Sequence, residues 1–173
     1  DDDEWDKNKI KKQLEIFKKN SKNNIGLVYC NAMIHEANGK TRLLFDRHKP
    51  FRGYIYKELS CDNFIGSSSF PLLKSEAIKE VGGFDIQMVA SQDWDTWLRI
   101  SKKYFIDYTD DILVHYYIHK GERISNNAKR RLEGLQRLNK KQIDILNANK
   151  NVLVSRKEYE LRLSIQCKNV YNA

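Results

Sequence analysis

Apolar positions along the chain switch between two periods, and the switches mark out its elements. Between Trp5 and Lys19, Ile10, Leu14 and Phe17 recur at helical spacing with lysines on the other face, which predicts an amphipathic helix. Asn20 to Asn24 breaks it. Ile25 to Ile34 is a nearly continuous apolar run of strand length, and Asn38-Gly39 predicts a two-residue hairpin turn into a strand over Thr41–Phe45. Pro50 and Gly53 place a loop over residues 46–60, with a short helix around Tyr54–Leu59. Asn63–Leu73 reads as a further extended segment carrying the small-residue run Gly66-Ser67-Ser68-Ser69.

Ser75 is suited to cap a short helix that Gly82-Gly83 ends. The next helix begins near Asp93 and carries Trp94, Trp97, Leu98 and Ser101 on one face. Alternation of Tyr104, Ile106 and Tyr108, then of Ile112, Val114, Tyr116 and Ile118, predicts two strands. Beyond Ser125 the pattern turns helical again: Leu132, Leu135 and Leu138, then Leu161 with Ile165, predict two amphipathic helices rich in Lys, Arg and Asn. The organisation is an α/β body over residues 1–125 and a basic helical segment over 126–173, packed on that body or extending from it.

Composition narrows the class. An apolar fraction of 40% and a charged fraction of 31% are those of a globular domain long enough to bury a core. There is no apolar run of transmembrane length and no secretory h-region. Cys30, Cys61 and Cys167 are far apart and form no CxxC, which points away from a zinc site or disulfide framework and towards a reducing compartment. The net charge of +8 predicts anionic partners: nucleotide phosphates, acidic lipid headgroups or nucleic acid. Nucleic acid is the least supported, because the charge is spread along the chain without a basic–aromatic module.

Three groups of residues carry candidate chemistry. Asp1-Asp2-Asp3 offers the carboxylate oxygens that Mg²⁺ or Mn²⁺ prefers, or else caps a helix start and complements its dipole. Asp93 stands before Trp94 and Trp97, which would anchor its helix rigidly; it is a general base or an ordinary N-cap. Asp95 and Arg99 read as a helix-surface pair. On a strand, His115, Tyr117 and His119 share one face, leading into a Gly-containing basic loop with Arg123. That face meets metal or diphosphate, or is simply solvated. His35 and His48 read as surface or hairpin residues. No P-loop, GxGxxG or GxSxG occurs.

The order of DDDEW, GLVYCNAMI, NGK, FIGSSSFPLLKSEAIKEVGGFD, SQDWDTWLRI and HYYIHKGERIS resembles the second half of family 2 glycosyltransferases of the GT-A fold, across about residues 1–125. In that family an acidic run written LDxDDxW is followed by a helix, a hairpin, a GGFD turn and an "ED" motif opening a helix. The resemblance implies the C-terminal half of a GT-A fold: α/β with a mixed sheet, plus C-terminal helices. It also implies inverting sugar transfer from a nucleotide-diphospho-sugar, foremost a UDP-sugar, to a glycan or lipid-linked acceptor, assisted by Mg²⁺ or Mn²⁺ in polysaccharide biosynthesis.

Carried over residue by residue, the resemblance makes Asp2 the metal-binding acid, with Asp1 and Asp3 as its neighbours. Asp93 is the base that deprotonates the acceptor hydroxyl. His119 meets metal or the donor diphosphate, Arg123 lies in the adjoining diphosphate loop, and Gly66, Ser67 and Ser68, with Trp94, lie on the acceptor side. Gln92 stands where the family usually has Glu. The family's N-terminal half, which binds the nucleotide base, has no counterpart, so the chain by itself is expected to bind donor poorly and transfer no sugar. The implied location is cytoplasmic, with the basic helices contacting the inner face of a membrane, mediating self-association, or packing as solvated helices. A rival reading from another class is a non-catalytic binding or assembly module that keeps the fold.

Overall fold

The computed structural model describes residues 3–20, 22–119 and 127–171. In chain order its elements begin with β1 (Glu4–Trp5), α1 (Lys9–Lys19), β2 (Ile25–His35), β3 (Thr41–Leu43), α2 (Leu44–Arg47) and α3 (Tyr56–Cys61). They continue with β4 (Leu72–Leu73), α4 (Ser75–Glu80), α5 (Gln92–Ser101), β5 (Phe105–Tyr117), α6 (Ala128–Lys141), α7 (Ile143–Ala148) and α8 (Lys150–Tyr171). The fold is α/β, with an open mixed sheet. Its spine is the parallel pair β2 and β5, flanked in the order β1-β5-β2-β3, with β4 also on β2; every pairing other than β2–β5 is antiparallel.

β2 is buried over Ile25–Ala32, as a run of apolar residues covered on both faces must be. β5 is one strand, not the expected two. Its Asp110-Asp111 break is absorbed by an irregularity in register: Thr109 lies opposite Cys30, whereas Ile112 lies opposite the next residue, Asn31. The hairpin is also one residue longer than expected. Glu36 N–H donates to the Lys40 carbonyl, leaving a three-residue loop with Gly39 in the left-handed region at φ 83°. The strand after it stops at Leu43, and α2 follows at once. Between Asn63 and Leu73 only Leu72–Leu73 are strand; turns occupy the rest, so the extended segment expected there is largely absent. The short helix after the loop runs Tyr56–Cys61, and Lys74 rather than Ser75 is the N-cap of α4.

The largest departure is α1. Glu4–Trp5 are strand, so the helix starts at Lys9, and it is turned over relative to its apolar stripe. Lys9 and Gln13 are 1% and 0% exposed, whereas Ile10 and Leu14 are 39% and 43% exposed. The reason is hydrogen bonding. Gln13 Nε2 donates to the Val28 carbonyl at 2.8 Å and to the Phe70 carbonyl at 2.9 Å, and its Oε1 accepts from Lys9 Nζ at 2.9 Å. Buried carbonyls without a partner are costly, so this face is held by polar satisfaction rather than by apolar area. Lys9 Nζ also lies 4.1 Å from the centroid of the Trp5 ring.

Residues 127–171 form three helices, not two. Leu135, Leu138 and Leu163 join one core cluster with Leu59, Trp94, Trp97 and Ile106. Arg156 of α8, 1% exposed, lies with its guanidinium 3.9 Å from the Trp94 ring centroid and donates from Nε to the Ser60 carbonyl at 2.6 Å. Gly134 of α6 sits against Ala90: a Cβ there would be 2.6 Å from the Ala90 carbonyl oxygen. The helices therefore pack directly on the chain that leads into α5.

Candidate functional site

α5 is the most firmly fixed element near the predicted chemistry. Trp94 donates its indole N–H to the Leu59 carbonyl at 2.8 Å, and Trp97 donates to the Gly66 carbonyl at 3.2 Å. Two buried indoles with satisfied N–H groups hold a helix in both position and rotation. The residue before the helix, Ser91, is its N-cap and adopts φ 61°, ψ 28°. It is the only non-glycine among the described residues with positive φ. Strain of this kind is kept only where the surroundings over-determine it.

Asp93 is thus not the N-cap but the second residue of the helix, half-buried, with Oδ1 accepting the Trp94 N–H at 2.6 Å. Burial pushes its carboxyl pKa up from 3.8 to about 6, against the opposing effect of the Trp94 and Asp93 backbone N–H groups. A carboxylate of raised basicity on a rigid helix has the properties of a general base.

Asp95 and Arg99 are not a surface pair. Asp95 is fully buried, and Arg99 Nη2 lies 2.8 Å from its Oδ2. Lys141 of α6 reaches Asp95 Oδ1 at 2.7 Å and Asp85 Oδ2 at 2.8 Å. Arg99 also donates to the carbonyls of Val81 and of Gly83, the latter at 2.7 Å. One ionic cluster therefore ties the Gly82-Gly83-Phe84-Asp85 turn to α5 and α6.

A second centre forms around Asp3. A hollow of about 420 Å³ is lined by Asp3, Trp5, Ser68 and Ser69. Ser69 donates its hydroxyl to Asp3 Oδ2, whereas Asp3 Oδ1 is buried with no hydrogen-bond partner among the described residues. Trp5 is 54% exposed there. Gly66 holds the loop in place with φ 81°, and a Cβ on it would lie 2.7 Å from the Phe70 ring.

The histidines meet at the ends of the parallel strands. His35 Nε2 and His115 Nδ1 share a hydrogen bond of 2.9 Å, and the His35 ring stacks on Tyr117 at 4.4 Å between centroids. Tyr117 stacks on His119 at 6.3 Å and donates to Glu4 Oε2 at 3.2 Å. His35, expected as a surface or hairpin residue, does pair with Thr41 in the β2–β3 hairpin, but it is half-buried in this ladder because the register of β2 on β5 places it beside Tyr117. His48 bonds Asp62 at 2.7 Å.

The predicted residues fall into separate groups. Asp3 and Ser68 share the hollow, while Trp94 lines a different cleft and Asp93 lines neither. Gly66 and Ser67 belong to the loop that carries Ser68, and Trp97 links that loop to α5. Asp1, Asp2 and Arg123 lie outside the described residues. Among the described residues, no group of three His, Cys, Asp or Glu is placed to hold a metal ion. Asp3 Oδ1 is a carboxylate oxygen of the kind a divalent cation takes, but it is a single ligand and not a set.

Two features escaped the sequence reading. One is Trp5 as a wall of the Asp3 hollow, which an aromatic residue directly after an acidic run could have signalled. The other is the Trp94 cleft, about 670 Å³, which brings Arg47, Arg131, Tyr159 and Arg162 together from distant parts of the chain. No linear signal marks it.

No family model and no curated protein matches the chain.

Proposed function

We propose that the chain is the acceptor- and metal-side portion of an inverting, nucleotide-sugar-dependent glycosyltransferase of the GT-A type, acting on a glycan or lipid-linked hydroxyl. The observation that carries this reading is Asp93: a carboxylate with its pKa raised to about 6, at the start of a helix pinned by two indoles and entered through a strained Ser91. In this reading Asp93 takes the proton of the incoming acceptor hydroxyl. The acceptor oxygen then attacks the sugar from the face opposite the leaving diphosphate, inverting the anomeric centre.

Asp3, with Asp1 and Asp2 beside it in the chain, would hold Mg²⁺ or Mn²⁺, aided by His119. A bound divalent ion offsets the charge that develops on a leaving diphosphate. Ser69 orients the Asp3 carboxylate by hydrogen bonding, and Arg123 would contact the donor diphosphate.

The test joins the chain to a nucleotide-binding half from the family and measures transfer from UDP-sugars. The joined protein is expected to transfer sugar with Mn²⁺, and Asp93→Asn to reduce kcat by at least a hundredfold while donor binding persists. Unchanged kcat in Asp93→Asn removes this reading. Absence of Mn²⁺-dependent UDP binding in the joined protein favours a non-catalytic assembly module.

A further inference from the structure

The cleft beside α5 is built for an anionic, hydroxyl-rich ligand. One wall is Arg47, at the end of α2, with His48, Asp62 and Asn63 following α2 and α3; the other is Arg131 of α6 with Tyr159 and Arg162 of α8. Its lining also includes Ser91 and Trp94, which flank Gln92 and Asp93 in the chain. Its volume, about 670 Å³, is that of a ligand site rather than a packing defect.

The arginines on these walls differ from four others in the fold. Arg42, Arg52, Arg99 and Arg137 each have a carboxylate within 4 Å. Arg47, Arg131 and Arg162 have none at ion-pair distance among the described residues. Arg131 is nonetheless held in place: its Nη2 donates to Tyr159 Oη at 2.8 Å, and its guanidinium and that of Arg162 each lie 5.8 Å from the Tyr159 ring centroid. Of the cleft's carboxylates, Asp62 is already bonded to His48. Burial raises its pKa, but the His48 bond and the Arg47 charge outweigh that and hold it below the usual carboxylate value. Glu158 is the remaining acid on the lining.

The lining also discriminates among anions. A lipid tail would need a mostly apolar lining, and this one, Trp94 and Leu163 aside, is mainly charged and polar side chains. Nucleobases need free aromatic faces. Trp94 is 4% exposed with Arg156 against its ring, and Tyr159 is flanked by two guanidiniums, so neither offers one. A carboxylate-bearing sugar chain needs forked cationic donors for its acid groups and small polar groups for its hydroxyls, and Asn63, Ser91, Ser155 and Gln166 supply the latter.

We infer that the cleft binds an acidic polysaccharide segment, carried on uronate-type carboxylates, which approaches the start of α5. This rests on the transferase reading only for the role of that segment as acceptor; the binding itself does not.

The experiment titrates the 173-residue chain with a hexameric oligogalacturonate, a neutral glucose hexamer and an oligothymidylate of matched length, by calorimetry at low and moderate salt. The uronate should bind, weaken with added salt, and bind at least tenfold more tightly than the neutral hexamer. The double substitution Arg131→Gln/Arg162→Gln should weaken it at least tenfold. So should Arg47→Gln, whose side chain makes no hydrogen bond or ion pair among the described residues and which serves if the double variant misfolds. Lys7→Gln, on the far exposed turn before α1, should change it less than twofold. Retained affinity in Arg47→Gln and the folded double variant, equal binding of the neutral hexamer, or tighter binding of the oligothymidylate through the same arginines would each overturn the proposal. Uronate binding without any sugar transfer by the joined protein keeps the cleft and drops the transferase. Transfer to a neutral acceptor, indifferent to all three arginines, does the reverse.

Discussion

Asp95 and Lys141 meet at 2.7 Å across the boundary between α5 and α6, with Asp95 fully buried and Lys141 still reaching solvent. The contact gives each carboxylate oxygen of Asp95 its own cation, since Arg99 takes the other. A buried carboxylate with one guanidinium and one ammonium is compensated; remove either and part of its desolvation cost is exposed.

Lys141→Met should therefore destabilise the fold by about 1–3 kcal/mol, and Asp95→Leu by about 2–4 kcal/mol because Arg99 and Lys141 both lose a buried carboxylate, Lys141 keeping Asp85 and Arg99 its carbonyls. Urea unfolding checks both values. An Asp95→Leu/Lys141→Met pair whose losses simply add would show that the two groups do not interact.

The pH dependence has two opposing parts. Asp93 has a folded pKa of about 6 against an ordinary 3.8, so between those values the native state holds its proton more tightly than the unfolded chain. Stability falls as pH rises through that window, and Asp93→Asn should recover on the order of 1–2 kcal/mol at pH 8 but nothing near pH 3. Asp85 has the opposite sign. The Lys141 hydrogen bond first, then the Gln87 N–H, holds it down to about 2, so its contribution is present above pH 4 and lost on acidification towards pH 2. Chemical denaturation across pH 2–8 separates the two, with Asp85→Asn expected to flatten only the acid limb.

Gln13 and Lys9 are both buried on α1, yet they should respond differently to apolar replacement. Gln13→Leu removes the amide donor that the Val28 and Phe70 carbonyls share, leaving Phe70 the weak Cys30 thiol donor, and should cost about 1–3 kcal/mol. Lys9→Met keeps the stem that packs at Trp5 and removes an ammonium whose pKa burial already lowers, so its effect should lie within about 1 kcal/mol. Equal losses in thermal unfolding would contradict this account of the helix face.

Gly66→Ala should cost about 1–3 kcal/mol, because φ 81° and the Phe70 ring both oppose a Cβ. It should also move Ser69 away from Asp3. In a chain whose Trp5 emission is followed during Mn²⁺ titration, the parent is expected to show quenching and Gly66→Ala to show it at higher metal concentration.

α5 and β2 were legible from the sequence because each depends on a local stripe: Trp94, Trp97 and Leu98 at helical spacing, and an unbroken apolar run from Ile25. α1 was not, since what turns Gln13 inward is a pair of carbonyls supplied by Val28 and Phe70, invisible to any periodicity. The alternation lapses between Tyr108 and Ile112 and so predicts two strands, whereas β5 carries Asp110 and Asp111 as an irregularity in its register on β2 and continues. Of the candidate site, Asp93 and its anchoring indoles could be read locally. Its raised pKa, the Asp3–Ser69 contact and the arginine cleft arise only when distant elements meet.

Gly134 lies against the Ala90 carbonyl, one residue before Ser91. Any chimera that exchanges α6 for a helix from another protein must therefore inherit a glycine at that contact, or accept a displaced entry into α5. The seam between the two parts of the chain that composition suggests, near residue 126, is a poor place to cut. A recombinant library would retain more folded members if residues 88–101 and 128–141 were transferred together.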